Sequence, residues 1–331
     1  MELKKIGEFG LINSLARLAP GAPADIIRGI GDDAAVIALD KTRRLLFTID
    51  TLIESIHFET SFTSPYLLGK KSLAVNLSDI AAMGGTPHSF VVSLSIPPGV
   101  TYEFIKKFYA GIYAQAKKFN VSLVGGDTTA SPDKLVITIS LLGAARAGEV
   151  IYRHGARTGD AIYVTGFLGD AALGLSLLMK KKAVSSLNYL VKRHLDPAPR
   201  VAQGREIARR SVASSMIDVS DGLLADLRHI LDESGVGARL RLDQVPLSPR
   251  YCKTLQRGCA DYYSAALCGG EDYELLLTVP PGKLKTIDAL KHSFSIPLTR
   301  IGEVTGKKGE LKIFDESGWE VSYKREGFTH F

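Results

Sequence analysis

What most constrains this chain is where its aspartates fall. Asp32 and Asp33 follow Gly29-Ile30-Gly31, Asp50 closes a short apolar strand, and Asp127 follows two glycines after another strand. Asp218 and Asp221 bracket a strand-to-helix turn, and Asp79 lies in a mostly apolar helix, on the face that carries Asn76. Strand ends, helix starts and glycine turns are where α/β proteins assemble sites. Carboxylates that converge there cannot stay bare, because two unit charges 4 Å apart repel by about 4 kcal/mol at an effective dielectric of 20. Either their pKa values rise or divalent cations bind between them, and all-oxygen donors select Mg²⁺, Ca²⁺ or Mn²⁺ over zinc. Taken singly, Asp221 also reads as a helix cap and Asp32 or Asp33 as a turn residue. Asp79 is the hardest to dismiss in this way, since a carboxylate inside an apolar helix is costly unless paired.

The alternation of strands and helices predicts an α/β or α+β architecture. In the first half, strands are expected over 45–49, 89–96, 121–124 and 135–145, and helices over 69–83 and 102–119. A looser basic stretch, 146–160, divides the chain into domains 1–146 and 147–331. The second half predicts strands at 161–165, 215–219 and 274–279 and helices at 169–182, 199–210 and 223–232, Pro199 taking the first helical position. Two or three short strands are expected over 301–323.

At 331 residues, with 45% hydrophobic residues, the chain has material for two cores and is not a disordered segment. No apolar run reaches the roughly 18 residues of a membrane span, and the N-terminus lacks the apolar stretch of a signal peptide. The cysteines, Cys252, Cys259 and Cys268, suit neither a disulfide framework nor a zinc site. A cytoplasmic protein is expected. The net charge of +6 is spread over both halves, and the basic pairs Lys106-Lys107, Lys117-Lys118 and the run 180–182 read as solvated helix faces. A nucleic-acid binder would concentrate such charge in a stripe.

Metals of this kind usually escort phosphates. Gly125-Gly126-Asp127, Gly166-Phe167-Leu168-Gly169-Asp170 and Gly269-Gly270-Glu271-Asp272 read as glycine turns beside strands, where backbone N–H groups can approach an anion. The P-loop, the kinase H-R-D and D-F-G pair, the G-x-G-x-x-G fingerprint, H-E-x-x-H and G-x-S-x-G are all absent, so ATP would be handled without a P-loop. By themselves His57 reads as a packed histidine and Phe328 as an anchor for the C-terminal tail.

Together the motifs resemble the thiamine-monophosphate kinases, of the aminoimidazole ribonucleotide synthetase-like superfamily of ATP enzymes. The segments are Gly29-Ile30-Gly31-Asp32-Asp33-Ala34, Asp50-Thr51-Leu52 with His57-Phe58, and Ala74-Val75-Asn76-Leu77-Ser78-Asp79. Gly125-Gly126-Asp127-Thr128-Thr129, Tyr163-Val164-Thr165-Gly166, Ile217-Asp218-Val219-Ser220-Asp221-Gly222-Leu223 and Gly269-Gly270-Glu271-Asp272-Tyr273-Glu274-Leu275 follow in the family's order. The resemblance implies a two-domain fold whose N-terminal domain pairs strands across a homodimer, with an α/β C-terminal domain. It implies Mg²⁺-dependent transfer of the ATP γ-phosphoryl group to thiamine monophosphate, giving thiamine diphosphate and ADP. Several Mg²⁺ ions would be held by Asp33, Thr48, Asp50, Asp79, Asp127, Asp218 and Asp221. Gly126, Asp127, Arg153 and Ser220 would touch ATP, and His57, Glu271 and Phe328 the substrate. Neither a covalent nucleophile nor a nucleic-acid or membrane partner is implied. The chain departs from the family at Thr48-Ile49-Asp50, where many members have two hydroxyl residues before the aspartate and Ile49 offers only its carbonyl.

The rivals are another enzyme of the superfamily (a purine-ring-closing synthetase, a selenophosphate synthetase or a hydrogenase-maturation type) and a non-catalytic Mg-nucleotide-binding regulator. A selenophosphate synthetase should carry a reactive cysteine near its N-terminus, and none lies there.

Overall fold

Alternating apolar residues in the first half build a six-stranded sheet with one buried face. Its strands are β1 (Ile26–Arg28), β2 (Ala35–Ala38), β3 (Arg43–Ile53), β4 (Thr86–Ile96), β5 (Ser122–Ala130) and β6 (Val136–Arg146), in the order β1-β2-β3-β6-β4-β5. All neighbours are antiparallel except β4 and β5. The computed structural model describes residues 3–18, 20–180, 188–255, 262–323 and 327–329. Cys259 and the end of the expected 169–182 helix, with Lys181 and Lys182, lie outside them.

Helices Pro65–Ala82 and Tyr102–Phe119 cover the buried face. The first starts where Ser64 accepts a hydrogen bond from the Leu67 N–H at 3.2 Å, with Pro65 in the first turn. The two helices touch backbone to backbone through glycine: a Cβ on Gly69 would lie 2.0 Å from the Phe108 carbonyl oxygen, and one on Gly111 would lie 1.9 Å from that of Tyr66. On the other face, Phe47, Ile49 and Val91 are exposed.

The second sheet comprises β7 (Ala161–Thr165), β8 (Ser215–Val219), β9 (Gly237–Arg241), β10 (Glu274–Val279), β11 (Leu298–Thr305), β12 (Leu311–Phe314) and β13 (Glu320–Val321). Their order is β13-β12-β9-β11-β7-β10-β8, with only β9 and β12 parallel. Strands β7, β8 and β10 are buried along their full length, which is why their apolar residues do not alternate with polar ones. Helix 65–82 packs on β3 and β6 of the first sheet and on β8 and β10 of the second. Its side chains are therefore buried nearly all round, and Lys70, Lys71 and Ser78 reach Asp196, Glu271 and Asp218 of the second half. Among the described residues no helix is long and apolar enough to cross a membrane.

Several local expectations are corrected. Asp50 does not end a strand but lies within β3, and Gly125-Gly126-Asp127 is not a turn but the interior of β5. The glycines there follow a register shift against β4, and a Cβ on Gly126 would lie 2.1 Å from the Val92 carbonyl oxygen. Strand β4 is interior, flanked by β6 and β5, and the edge on that side is β5. Pro199 precedes its helix, Val201–Arg209, whose N-cap is Arg200.

Candidate active site between the two sheets

Three segments distant in sequence meet at the C-terminal half of helix 65–82. Thr48 and Asp50 share one face of β3, and the Thr48 hydroxyl donates to Asp79 Oδ2. Ser78 Oγ donates to Asp218 Oδ2 at 2.6 Å, tying the helix to β8. Arg153 donates to Asp33 Oδ1 from Nη2 at 2.6 Å and from Nε at 3.2 Å, while its backbone N–H holds Asp32 Oδ1 at 3.1 Å. Asp33, Asp79 and Asp218 thus each present an oxygen within 4.8 Å of the others.

Burial, then the neighbouring charge of Asp33, pushes the Asp218 carboxyl up to about 8. Burial likewise raises Asp50 to about 6, against a hydrogen bond from Asp79, and drives Asp79 well above the usual carboxylate range. Burial also raises Asp33, against the opposing charge of Arg153. Among the described residues, Asp33 Oδ2 is buried without a hydrogen-bond partner. An unpartnered acceptor beside raised carboxyls, in an all-oxygen donor set, fits a hard divalent cation such as Mg²⁺.

The 220–222 loop borders this centre. Asp226, not Asp221, secures it, accepting from the N–H groups of Ser220, Asp221 and Gly222 at 3.1, 3.2 and 3.0 Å. Gly222 has φ +132°, a conformation suited to glycine. The Glu271 N–H donates to the Ser220 carbonyl at 2.7 Å and the Phe328 N–H to the Asp221 carbonyl at 3.0 Å, so both flank the loop. Phe328 is 45% exposed.

Glu271 adopts φ +70°, turning its side chain out of the line of β10. Its Oε1 lies 2.7 Å from Lys71 Nζ and its Oε2 2.7 Å from His194 Nδ1. Burial works to raise this carboxyl, but Lys71 and His194 outweigh it and hold it at about 2. Burial and Lys71 lower the His194 pKa below its usual value. Lys71 Nζ also donates to the His57 carbonyl at 3.5 Å, and His57 Nδ1 accepts from the Ile53 N–H at 3.0 Å. The neighbouring acids of the same motif do other work. Asp272 accepts from the Gly169 and Ala171 N–H groups at 2.7 and 3.4 Å, and Glu274 accepts from Arg193, Arg200 and Thr165.

Gly126 and Asp127 are not brought to this centre. Pairing runs Thr51 to Thr138, Thr138 to Ser93 and Ser93 to Asp127, which sets the exposed Asp127 three strands from β3, in a row on the open face. At about 4.8 Å per strand it lies roughly 14 Å from Thr51. Ile49 is 61% exposed on that same face. Lys71, His194 and Asp226 carry no sequence signature.

Residues 31–145 match the AIR synthase related protein, N-terminal domain, and residues 157–313 match the AIR synthase related protein, C-terminal domain. A thiamine-monophosphate kinase of Buchnera aphidicola (subsp. Acyrthosiphon pisum) is 39% identical over 99% of both chains. The solved structure of AaThiL complexed with AMPPCP and TMP superposes with a TM-score of 0.85 at 33% identity, over 100% of this chain and 99% of that one. The hydrogenase maturation protein HypE of E. coli shares the fold, with a TM-score of 0.67 at 20% identity over 96% of each chain.

Proposed function

The chain belongs to the thiamine-monophosphate kinase family of AIR synthase related proteins, and we propose that it transfers the γ-phosphoryl group of ATP to thiamine monophosphate, yielding thiamine diphosphate and ADP. The observation that carries this is the buried convergence of Asp33, Asp79 and Asp218 beside the loop that Glu271 and Phe328 flank.

Mg²⁺ held by Asp33, Asp50, Asp79, Asp218 and Asp221, with Thr48, would neutralise the phosphates of both substrates. The protein's own part is positioning. Arg153 orients Asp33, Ser78 orients Asp218, and Asp226 fixes the backbone of Ser220 against the nucleotide. The acceptor phosphate is already anionic at neutral pH, its second pKa being near 6, so no general base is needed. His57, Glu271 and Phe328 receive the organic part of thiamine monophosphate, Phe328 through its exposed ring. We take residues 1–146 as the ATP, Mg²⁺ and dimerisation domain, residues 147–331 as the domain that completes the site, and the cytoplasm as its compartment, without nucleic-acid or membrane partners.

γ-Labelled ATP tests the activity and its route together. ADP should appear with thiamine monophosphate and not with thiamine, aminoimidazole precursors or selenide, and ATP alone should leave no label on the protein. ADP release with another acceptor would favour a rival enzyme, its absence with all of them a nucleotide-binding regulator. Labelled protein that chases into product would overturn direct transfer.

Glu271→Gln and Phe328→Ala should each raise KM for thiamine monophosphate by about tenfold or more and leave KM for ATP nearly unchanged. Equal losses for both ligands, with a lower melting temperature, would return the two residues to structural roles.

Asp127 can join the metal set only from a second copy of this chain, since its row lies on the open face of its own sheet. A homodimer that covers Phe47, Ile49 and Val91 would supply it. Mixing and re-equilibrating the inactive variants Asp127→Asn and Asp218→Asn should then restore about a quarter of wild-type activity, because half the dimers carry one intact site. No recovery, or a monomer at micromolar concentration in sedimentation, would remove Asp127 from a shared site.

A further inference from the structure

Lys71 is a buried cation that the metal centre does not use. Its side chain is 3% exposed, as is that of His194, whereas Glu271 in front of them is 23% exposed. Lysine and histidine therefore stand behind the carboxylate, and the carboxylate faces the solvent side. The same ammonium reaches the His57 carbonyl at 3.5 Å, so it spans both arms assigned to the substrate. A lysine so deeply buried is tolerated only where its charge is answered, and Glu271 answers it.

The arrangement fixes what the carboxylate can recognise. Lys71 Nζ and His194 Nδ1 stand 2.7 Å from one oxygen each, and the 23% exposed Glu271 side chain keeps lone pairs of both oxygens for donors on its open side. The Lys71 charge sits directly behind the Glu271 charge, so from the distance of a bound ring the two act as a dipole and much of the carboxylate's attraction for a cation is cancelled. The groups facing Glu271 are Lys71 from helix 65–82, His194 from helix Tyr189–Leu195 and the nearby Tyr273 of its own segment. With His194 neutral, Lys71 and Glu271 balance.

Resting on the proposed kinase activity and on the assignment of Glu271 to the substrate, we infer that Lys71, with His194, is a positioning residue. It holds Glu271 as a charge-compensated hydrogen-bond acceptor for the aminopyrimidine N–H donors of thiamine monophosphate, not as a counter-ion for its thiazolium. Specificity then lies in hydrogen bonding, which rejects an analogue lacking the donor far more strongly than a compensated charge rejects a neutral ring.

The test compares KM values for wild type, Lys71→Met and Lys71→Arg, with thermal melts of each. Lys71→Met should raise KM for thiamine monophosphate by about tenfold or more while KM for ATP stays within about twofold, and Lys71→Arg should recover most of the loss. In the wild type, the monophosphate of oxythiamine, whose amino group is replaced by an oxo group, should lose about tenfold or more in kcat/KM. The deaza analogue, with a neutral thiophene in place of the thiazolium, should stay within about threefold of thiamine monophosphate. An unchanged KM in Lys71→Met, a parallel rise in both KM values that Lys71→Arg does not rescue, or a loss with the deaza analogue as large as with the oxo analogue would overturn the assignment. If the wild-type chain does not phosphorylate thiamine monophosphate, the functional reading falls and this assignment with it; turnover with any of the preceding results overturns this assignment alone.

Discussion

Replacing Asp218 by Asn is expected to abolish turnover while the metal-free protein melts no lower than wild type. Asp218 is 2% exposed and lies within 4.8 Å of the oxygens of Asp33 and Asp79, so its ionised form adds like charge where water cannot screen it. Asparagine keeps its shape, and its amide oxygen can still accept from Ser78, now at 2.6 Å from the carboxylate. The substitution removes repulsion and keeps the tie between helix 65–82 and β8. What it deletes is a charged oxygen needed to hold cations against the phosphates, for which a loss of about 10³-fold or more in kcat is expected. Thermal melts without metal and kinase assays over a Mg²⁺ series check both halves. Turnover within about tenfold of wild type at limiting Mg²⁺, or a melting point several degrees lower, would take Asp218 out of the metal set.

The second large effect is a stability that falls as pH rises and that Mg²⁺ restores. Asp50 and Asp218 have carboxyls at about 6 and about 8 in the folded chain, against 3.8 for an ordinary aspartate, with burial the first cause in both. Between 3.8 and these values the folded chain binds more protons than the unfolded one. The unfolding free energy therefore declines with rising pH across that window and levels off above about 8. Metal-free protein should melt roughly 5 °C lower at pH 8 than at pH 5.5. Mg²⁺ binds the deprotonated cluster, so its stabilisation should be larger at pH 8 than at pH 5.5. Calorimetry at the two pH values, with chelator and with Mg²⁺, measures both quantities. A metal-free melting point that does not change or rises over this range, or a Mg²⁺ effect that shrinks with pH, would show that the cluster does not titrate as a cation site.

The sequence by itself determined the parts. Rough alternation marked β4 as a strand, and short, largely apolar segments marked β7, β8 and β10, which the fold buries on both faces. Both signals are local, because side-chain period and burial are written residue by residue. Asp79 announced itself because a carboxylate in an apolar helix needs a partner, and Asp33 and Asp218 because they stand beside turns. Tertiary structure alone decided which of these residues meet. Asp33, Asp79 and Asp218 converge because helix 65–82 is wedged between the two sheets, a placement set by packing and not by any single segment. The same packing set Asp127 on the open face of its sheet, made Asp226 rather than Asp221 the anchor of the 220–222 loop, and enclosed Lys71 and His194 behind Glu271. Apart from the local Asp226 anchor, those contacts join residues far apart in the chain, so their energy appears only after the backbone has closed around them, and no local pattern records them in advance.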